Sequence, residues 1–529
     1  MPGNWLKKGG VQVAVVAVEE KRLEKLSGCD IQKAIDGLTA LGMPAEQEHG
    51  GLIVEITPNR PDLFSMEGIA RALKSYYGGK ITKYEAKKGQ YVVGVDKKTE
   101  SVRPFVRCSV VKGVDLDGEL IVDLMQMQEK LHDTIGRKRR KVAVGIHDMG
   151  KVVFPLKYVV ATDERFVPLD VSGEMSVLEV LEKHPKGREY AHLVKEGAVV
   201  IVDGEGAISF PPIINSERTR VMEKTRDLLV DVTGTHKESV EGVLNIVTTT
   251  LMDAGGEAFT VEVDGKEYPN FSYKEMELGL ERANKVLGTD LSKKEAATCL
   301  KKMGYLCDGN MVGVPPYRTD VISFVDVAED IAIGYGYDNI RAELPLVGGI
   351  GKTERQAYLH QIMGGMGFVE VKNFILTEGK SLKELGRGGG MLKITNSKSE
   401  EYNVVRTCLL PGVFVDFATN KTKGLPQKFY EIGTVWCGSE EEHLCAANTG
   451  IRATFTEMQG CLQTLMNEVG VSFELEEKKD PMFVEGRCFS IKSDKYELGV
   501  VGEITPEVIG VFGLEYPVAA FEINLKRIR

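Results

Sequence analysis

No single hydrophobic core can organise a chain of 529 residues, so the sequence must divide into several domains. Its turn-forming residues suggest where. Residues 1–85 hold the strand-like VQVAVVAV, a helix-like stretch from Asp30 to Leu41, and GLIVEITPNRPDLFSMEGIARALKSYYGG. In that last run Pro58 and Pro61 bracket a turn, and Ser65 is placed to cap a helix ending near Tyr77. The Gly- and Lys-rich GGKITKYEAKKGQ then reads as a linker. Residues 90–265 alternate β-rich runs (RPFVRCSVVKGV, RKVAVGIHDM, GAVVIVDGEGAISF) with amphipathic helices (LIVDLMQMQEKLHDTIG, SVEGVLNIVTTTLMDAGG). Residues 270–345 form a smaller, mostly helical unit. KEMELGLERANKVLG reads as one helix, Ser292 and Glu295 make a capping box for a second, YLCDGNMVGVPPY suggests a hairpin, and VDVAEDIAIGYG a third helix. Residues 350–529 open with the helix TERQAYLHQIMGGMG and continue with strands at VEVKNFIL, KFYEIGTVW, RCFSIK and AAFEINL. The fold class expected is therefore multidomain α+β.

Composition excludes several functions. The nine cysteines are scattered and form no C-x-x-C pair, which argues against a disulfide framework or a zinc ribbon and for a reduced, cytoplasmic setting. The eight histidines include no H-E-x-x-H. No apolar run approaches the roughly 20 residues that span a bilayer. The start turns charged at once and shows no small-residue cleavage site. A net charge of −10 argues against non-specific coating of nucleic acid, although not against a local basic patch.

Four constellations bear on chemistry. In YRTDVISFVDVAEDIAIGYGYDNI, Asp326, Glu329 and Asp330 fall at i, i+3 and i+4 and share a helix face, with Asp320 just before it. Like charges so placed repel by roughly 0.2–0.5 kcal/mol per close pair. A hard divalent cation such as Mg²⁺ would reverse that penalty; a solvated acidic face is the alternative. The basic run Arg137, Lys138, Arg139, Arg140 and Lys141 either grips a phosphate backbone or is a solvated loop. In FPPIINSERTRV and TRDLLVDVTGTHKESV, Asn215, Ser216, Asp231 and Thr233 lie at ends of apolar strands, where pockets form. Turn and capping chemistry accounts for the same residues. No nucleophile–His–acid pattern is evident, so a pocket there would hold a water by hydrogen bonds. Finally, ELGLER at Glu277 to Arg282 resembles the arginine motif of class II synthetases, but it lies upstream of the large C-terminal unit and reads as ordinary amphipathic helix.

Taken together, these segments resemble one family. EITPNRPDLFSMEGIARAL is similar to the opening domain of phenylalanyl-tRNA synthetase beta subunits. FPPIINSERTR and RDLLVDVTGT resemble the editing domain of the archaeal and eukaryotic branch, and VPPYRTDVISFVDVAEDIAIGYGYDNI the small helical domain after it. NSKSEEYNVVRTCLLPG, LPQKFYEIGTVW and YPVAAFEINL resemble the catalytic-like domain. The matches keep the family's order over nearly the whole chain.

The resemblance implies a division of labour. The alpha subunit joins phenylalanine to tRNA(Phe) at the expense of ATP, within an alpha2beta2 heterotetramer away from any membrane. The beta chain's C-terminal domain is a class II synthetase-like antiparallel sheet flanked by helices, and is inactive. Here Glu431 stands in FYEIG with no preceding arginine for an ATP phosphate. The resemblance also implies Mg²⁺ bound by Asp320, Asp326, Glu329 and Asp330, shared with the alpha chain. An editing pocket at 90–265 would hydrolyse mischarged tyrosyl-tRNA(Phe), lined by Asp231 and Thr233 with Asn215 and Ser216 nearby. Such a second site has a physical reason, because a pocket rejects an added hydroxyl by only about a hundredfold. The leader MPGNWLKKGG departs from the family's usual start. Two other readings use the same segments: a stand-alone deacylase acting in trans, and a non-catalytic tRNA-binding scaffold. A free-standing hydrolase would have little use for the C-terminal 180 or so residues, whereas a heteromeric subunit needs an interface.

Overall fold

The computed structural model describes residues 14–48, 51–160, 163–194, 197–344, 351, 355–493 and 496–528. The leader MPGNWLKKGG lies outside the described residues. The chain forms two compact units, Met1–Leu344 and Pro345–Arg529.

The first unit is organised by a ten-stranded mixed sheet. Next to one edge, Leu228–Gly234 runs antiparallel between Phe105–Lys112 and the edge strand Val142–Asp148, while at the centre Lys87–Val95 pairs in parallel with both Glu257–Val263 and Leu156–Val160. Leu228–Gly234 is buried along its whole length, which is why LLVDVTG lacks the polar alternation of a half-exposed strand. The helix Lys237–Asp253 packs on that sheet with nearly every residue from Ser239 to Leu251 buried. Its threonines therefore need internal partners. Thr248 meets Ser109 Oγ at 2.8 Å, Thr250 meets Ser65 Oγ at 3.3 Å, and Thr249 donates back to the Asn245 carbonyl at 2.8 Å.

A three-stranded sheet of Ala14–Glu19, Gly51–Ile56 and Ala45–Glu48 precedes this layer. Ser65 caps the helix Met66–Tyr76, accepting from the Gly68 N–H at 3.1 Å. Ser292 and Glu295 form the expected capping box on Lys293–Lys302. KEMELGLERANKVLG is not one helix. Lys274–Glu277 is a strand paired with Met311–Val314, and the helix is Leu280–Leu287. The break falls at Gly279, whose φ of 54° and closeness to the Phe324 ring exclude a side chain.

The second unit is a seven-stranded sheet, antiparallel except for the short edge strand Val369–Glu370. Alternate residues of its interior strand Glu440–Thr449 feed two cores. Leu444 and Ala446 pack with the helices Arg355–Gly365 and Phe455–Glu468, whereas Cys445 and Ala447 pack with Leu410–Thr419. The expected strand VEVKNFIL is reduced to Val369–Glu370 and Leu376–Thr377, which belong to different sheets.

Candidate functional site

The ten-stranded sheet walls a cavity of about 270 Å³, closed by the helix Gly118–Asp133 and the Ser209–Ser216 segment with its cis Pro211–Pro212 bond. Asn215, Ser216, Asp231 and Thr233, far apart in sequence, all line it. Asp231 and Thr233 sit two apart on one strand and so face the same side.

Asp231 is the pivot. Its Oδ2 lies 2.8 Å from His147 Nε2, and His147 Nδ1 lies 2.8 Å from Thr219 Oγ1. Among the described residues Oδ1 takes no hydrogen bond. A Thr219–His147–Asp231 chain thus exists where the sequence showed no such pattern. His147 is fully buried and Thr219 nearly so, which makes the chain a brace for the Asp231 carboxylate rather than an exposed nucleophile. The brace needs Gly145, directly opposite Asp231 on the neighbouring strand: a Cβ there would stand 2.0 Å from Asp231 Oδ2.

Thr233 is held by Arg103, whose Nε donates to Oγ1 at 2.9 Å and whose Nη2 donates to the Thr233 carbonyl at 2.8 Å. Burial pulls the Arg103 guanidinium down to about 10, against the pull of Tyr158 and Asp231. Asn215 Oδ1 accepts from Ser209 Oγ at 3.0 Å. The Ser216 hydroxyl is spent on backbone, donating to the Val167 carbonyl at 3.4 Å and accepting from the Arg218 N–H at 3.3 Å. For Ser216, then, the capping role read from sequence is what the geometry displays.

The basic run divides. Arg137, Lys138 and Arg140 are exposed, Lys141 is half-buried, and Arg139 is buried in the cavity wall. Arg137, Lys138 and Arg139 have φ of 48°, 53° and 64°, a left-handed stretch that non-glycine residues adopt at a cost. This turn aims Arg139 inward, where it donates to the Pro212 and Ile213 carbonyls (3.2 and 2.9 Å) and to Glu129 Oε1 at 2.7 Å. Burial would raise the Glu129 carboxyl, but the nearby His132 ring, 3.5 Å away, and the Arg139 charge hold it at about 2.

The four acidic residues of the small domain are also divided. Asp320, Asp326 and Glu329 line one cleft, while Asp330 is buried behind it. Arg318 donates to both oxygens of Asp320 (2.9 and 2.8 Å) and to Asp330 Oδ2 at 2.7 Å, which also accepts from Tyr305 at 2.5 Å. Burial works against the Arg318 charge, but Asp330 and Asp320 keep it firmly protonated. Asp326 Oδ2 caps its helix through the Ile322 and Ser323 N–H groups at 2.8 and 2.7 Å. Arg318 thus already pairs with two of the four carboxylates, Asp320 and Asp330. Asp326 and Glu329 line the cleft and make no ion pair among the described residues.

In the second unit Glu431 is fully buried, paired with Arg406 Nη1 at 2.7 Å and Asn373 Nδ2 at 3.1 Å. Its charge is spent inside the fold.

With this geometry in hand, comparison with known proteins is informative. Residues 276–337 match the tRNA synthetase B5 domain, and residues 344–525 match the phenylalanyl tRNA synthetase beta chain CLM domain. The chain is 40% identical to the phenylalanine–tRNA ligase beta subunit of Archaeoglobus fulgidus, over 97% of this chain and 98% of that one. It is 35% identical to that of Methanocaldococcus jannaschii, over 97% and 100%.

The chain belongs to the phenylalanine–tRNA ligase beta-subunit family.

An N-terminal fragment of the phenylalanyl-tRNA synthetase beta subunit from Pyrococcus horikoshii is also similar, with 36% identity and a TM-score of 0.57 over 61% of this chain and 99% of the fragment. No helix among the described residues is long and apolar enough to cross a membrane. Sequence reasoning missed Arg103, Gly145, His147 and Ser209. The one available signal was the glycine and histidine of VAVGIHD, a polar interruption in an apolar strand.

Proposed function

We propose that this chain is the beta subunit of a phenylalanine–tRNA ligase, which supports ATP-dependent attachment of phenylalanine to tRNA(Phe) by an alpha partner in an alpha2beta2 assembly. Its cavity hydrolyses tyrosyl-tRNA(Phe). The observation that carries the second statement is the Asp231 carboxylate, fixed by His147 through one oxygen and free in the cavity through the other. A free, oriented acceptor selects tyrosine by its phenol O–H, which phenylalanine lacks. A site built around such a hydrogen bond discriminates by about 10⁴–10⁵, far beyond what exclusion of the hydroxyl achieves. The second unit is taken to be a class II-like fold without ATP chemistry, since the Glu431 charge is internally satisfied. A magnesium ion shared with the alpha chain would be held by Asp326 and Glu329, consistent with an ion that takes one or two carboxylates and keeps its waters.

Co-expression with an alpha subunit from the same genome tests both statements. Pull-down through this chain should yield phenylalanine-charging activity that neither chain has alone. Within that complex Asp231→Ala should spare charging with phenylalanine and let tyrosyl-tRNA(Phe) accumulate. Unchanged clearance by the variant removes the cavity assignment. A monomer that associates with nothing yet clears tyrosyl-tRNA(Phe) replaces the subunit reading with a trans-acting deacylase.

A further inference from the structure

The second unit carries the one group of mixed soft and hard ligands that the described residues bring together. The strands Gln427–Trp436 and Glu440–Thr449 are joined by a tight turn through Cys437, Gly438 and Ser439. Glu441 and His443, two residues apart, face the same side of the second strand. The Cys437 thiol, a Glu441 oxygen and a His443 ring nitrogen all lie within 4.8 Å of one another. Tetrahedral bonds of about 2.0–2.3 Å place ligand atoms roughly 3.5 Å apart, so small side-chain rotations suffice to close the set.

The surroundings are those of a ligand sphere. Glu522 Oε1 lies 2.7 Å from His443 Nδ1 and, as a carboxylate, accepts its proton. Glu522 is itself fixed by the Leu409 and Leu410 N–H groups at 3.0–3.1 Å. That bond sets the tautomer and leaves Nε2 as the free nitrogen. Nε2 is buried, has no hydrogen-bond partner, and stands 3.5 Å from Glu441 Oε2. Metal-binding histidines are oriented in this manner, with the second nitrogen donating to a carboxylate. Asn524, opposite His443 on the neighbouring strand, donates to Glu441 Oε2 at 2.5 Å and steadies the third ligand. Cys437 is exposed at the turn, so the position facing solvent is open.

We propose that Cys437, Glu441 and His443 bind a divalent transition-metal ion of the zinc class, with Glu522 and Asn524 as positioning residues and a fourth coordination position left to water. Thiolate, imidazole and carboxylate together suit zinc, and three protein ligands with an open fourth position are a recurrent zinc arrangement.

The test uses the full chain, stripped with chelator and titrated with Zn²⁺ and with Co²⁺ as a spectroscopic probe. The expected result is one zinc per chain and a near-ultraviolet thiolate-to-cobalt charge-transfer band. Cys437→Ser should abolish the band and His443→Ala the tight zinc, while Cys461→Ser, half-buried and outside the set, changes neither. Glu522→Gln should weaken zinc by about 10–100-fold while leaving the band in place at saturation. Cys437 sits on an exposed turn, so its serine variant should melt with the wild type in the absence of metal. Absence of the band from the wild-type chain, or a band that survives Cys437→Ser, overturns the assignment.

Discussion

Replacing Gly145 with alanine tests whether the His147–Asp231 brace controls the cavity. The substitution deletes no polar group and suits a strand backbone, so its whole effect comes from one added methyl. That methyl would stand 2.0 Å from Asp231 Oδ2, 2.9 Å from Cγ and 3.0 Å from His147 Nε2. Reaching an ordinary 3.4 Å contact requires the carboxylate to retreat by about 1.4 Å, and the 2.8 Å bond to His147 does not survive that. Overpacking costs about 1–3 kcal/mol. Loss of a buried hydrogen bond to a charged group costs about 1.5–3 kcal/mol. Removing a glycine from a strand returns about 0.5–1 kcal/mol. The net expectation is a loss of about 1.5–5.5 kcal/mol, read as a lower melting temperature. A displacement of this size also costs about a hundredfold in rate where positioning matters. Single-turnover clearance of tyrosyl-tRNA(Phe) by the complex should fall accordingly, with phenylalanine charging intact. Gly94→Ala is the matched control, since it lies in the same sheet and its Cβ would meet nothing nearer than the Leu156 carbonyl at 3.9 Å. If Gly145→Ala melts and clears substrate as Gly94→Ala does, the brace is irrelevant to the site.

The internal pairing of the small domain predicts an order of sensitivity. Arg318→Met strands Asp320 and Asp330 without their cation and should cost about 3–5 kcal/mol, whereas Asp326→Ala loses only a helix cap, about 0.5–2 kcal/mol; equal melting temperatures would contradict this division. Glu129 supplies an acid-sensitive contribution. Its folded-state value of about 2 lies below its ordinary 4.5, so its stabilisation is present above about pH 4.5 and lost as pH falls toward 2. The nominal shift is worth roughly 3 kcal/mol. Because the side chain is 47% exposed, about 1–2 kcal/mol remains after screening. Glu129→Gln should therefore melt below the wild type at pH 6, with the gap narrowing below about pH 4.5 and closing only toward pH 2, and a gap that stays constant would refute the assignment.

Local signals were legible in the sequence and non-local ones were not. Ser65, Ser292 and Glu295 announce helix starts because capping joins residues three apart. The strand Lys274–Glu277 is defined by its partner Met311–Val314, and nothing within KEME distinguishes it from a helical turn. Asn215, Ser216, Asp231 and Thr233 could be brought forward as polar residues ending apolar strands. What each hydroxyl or carboxylate bonds to could not, since Val167, Ser209, Arg103 and His147 reach them only through the sheet.

The charged segments show the same limit more sharply. Three carboxylates on one face of a helix require a countercharge, and from spacing alone a bound cation was a sound way to supply it. The fold supplies part of it from within the chain: Arg318, two residues before Asp320, forms ion pairs with both Asp320 and Asp330. Arg139 likewise leaves a run that reads as a phosphate grip and pairs with Glu129, while Arg406 neutralises Glu431. A buried carboxylate must find a cation or surrender its charge, and an arginine already in the chain meets that demand without the entropy of capturing an ion from solution. Acidic motifs in such a protein are therefore weighed by subtracting the carboxylates that internal arginines have claimed. What remains, Asp326 and Glu329 in the small domain and Glu441 in the second unit, is what an external ion can still reach.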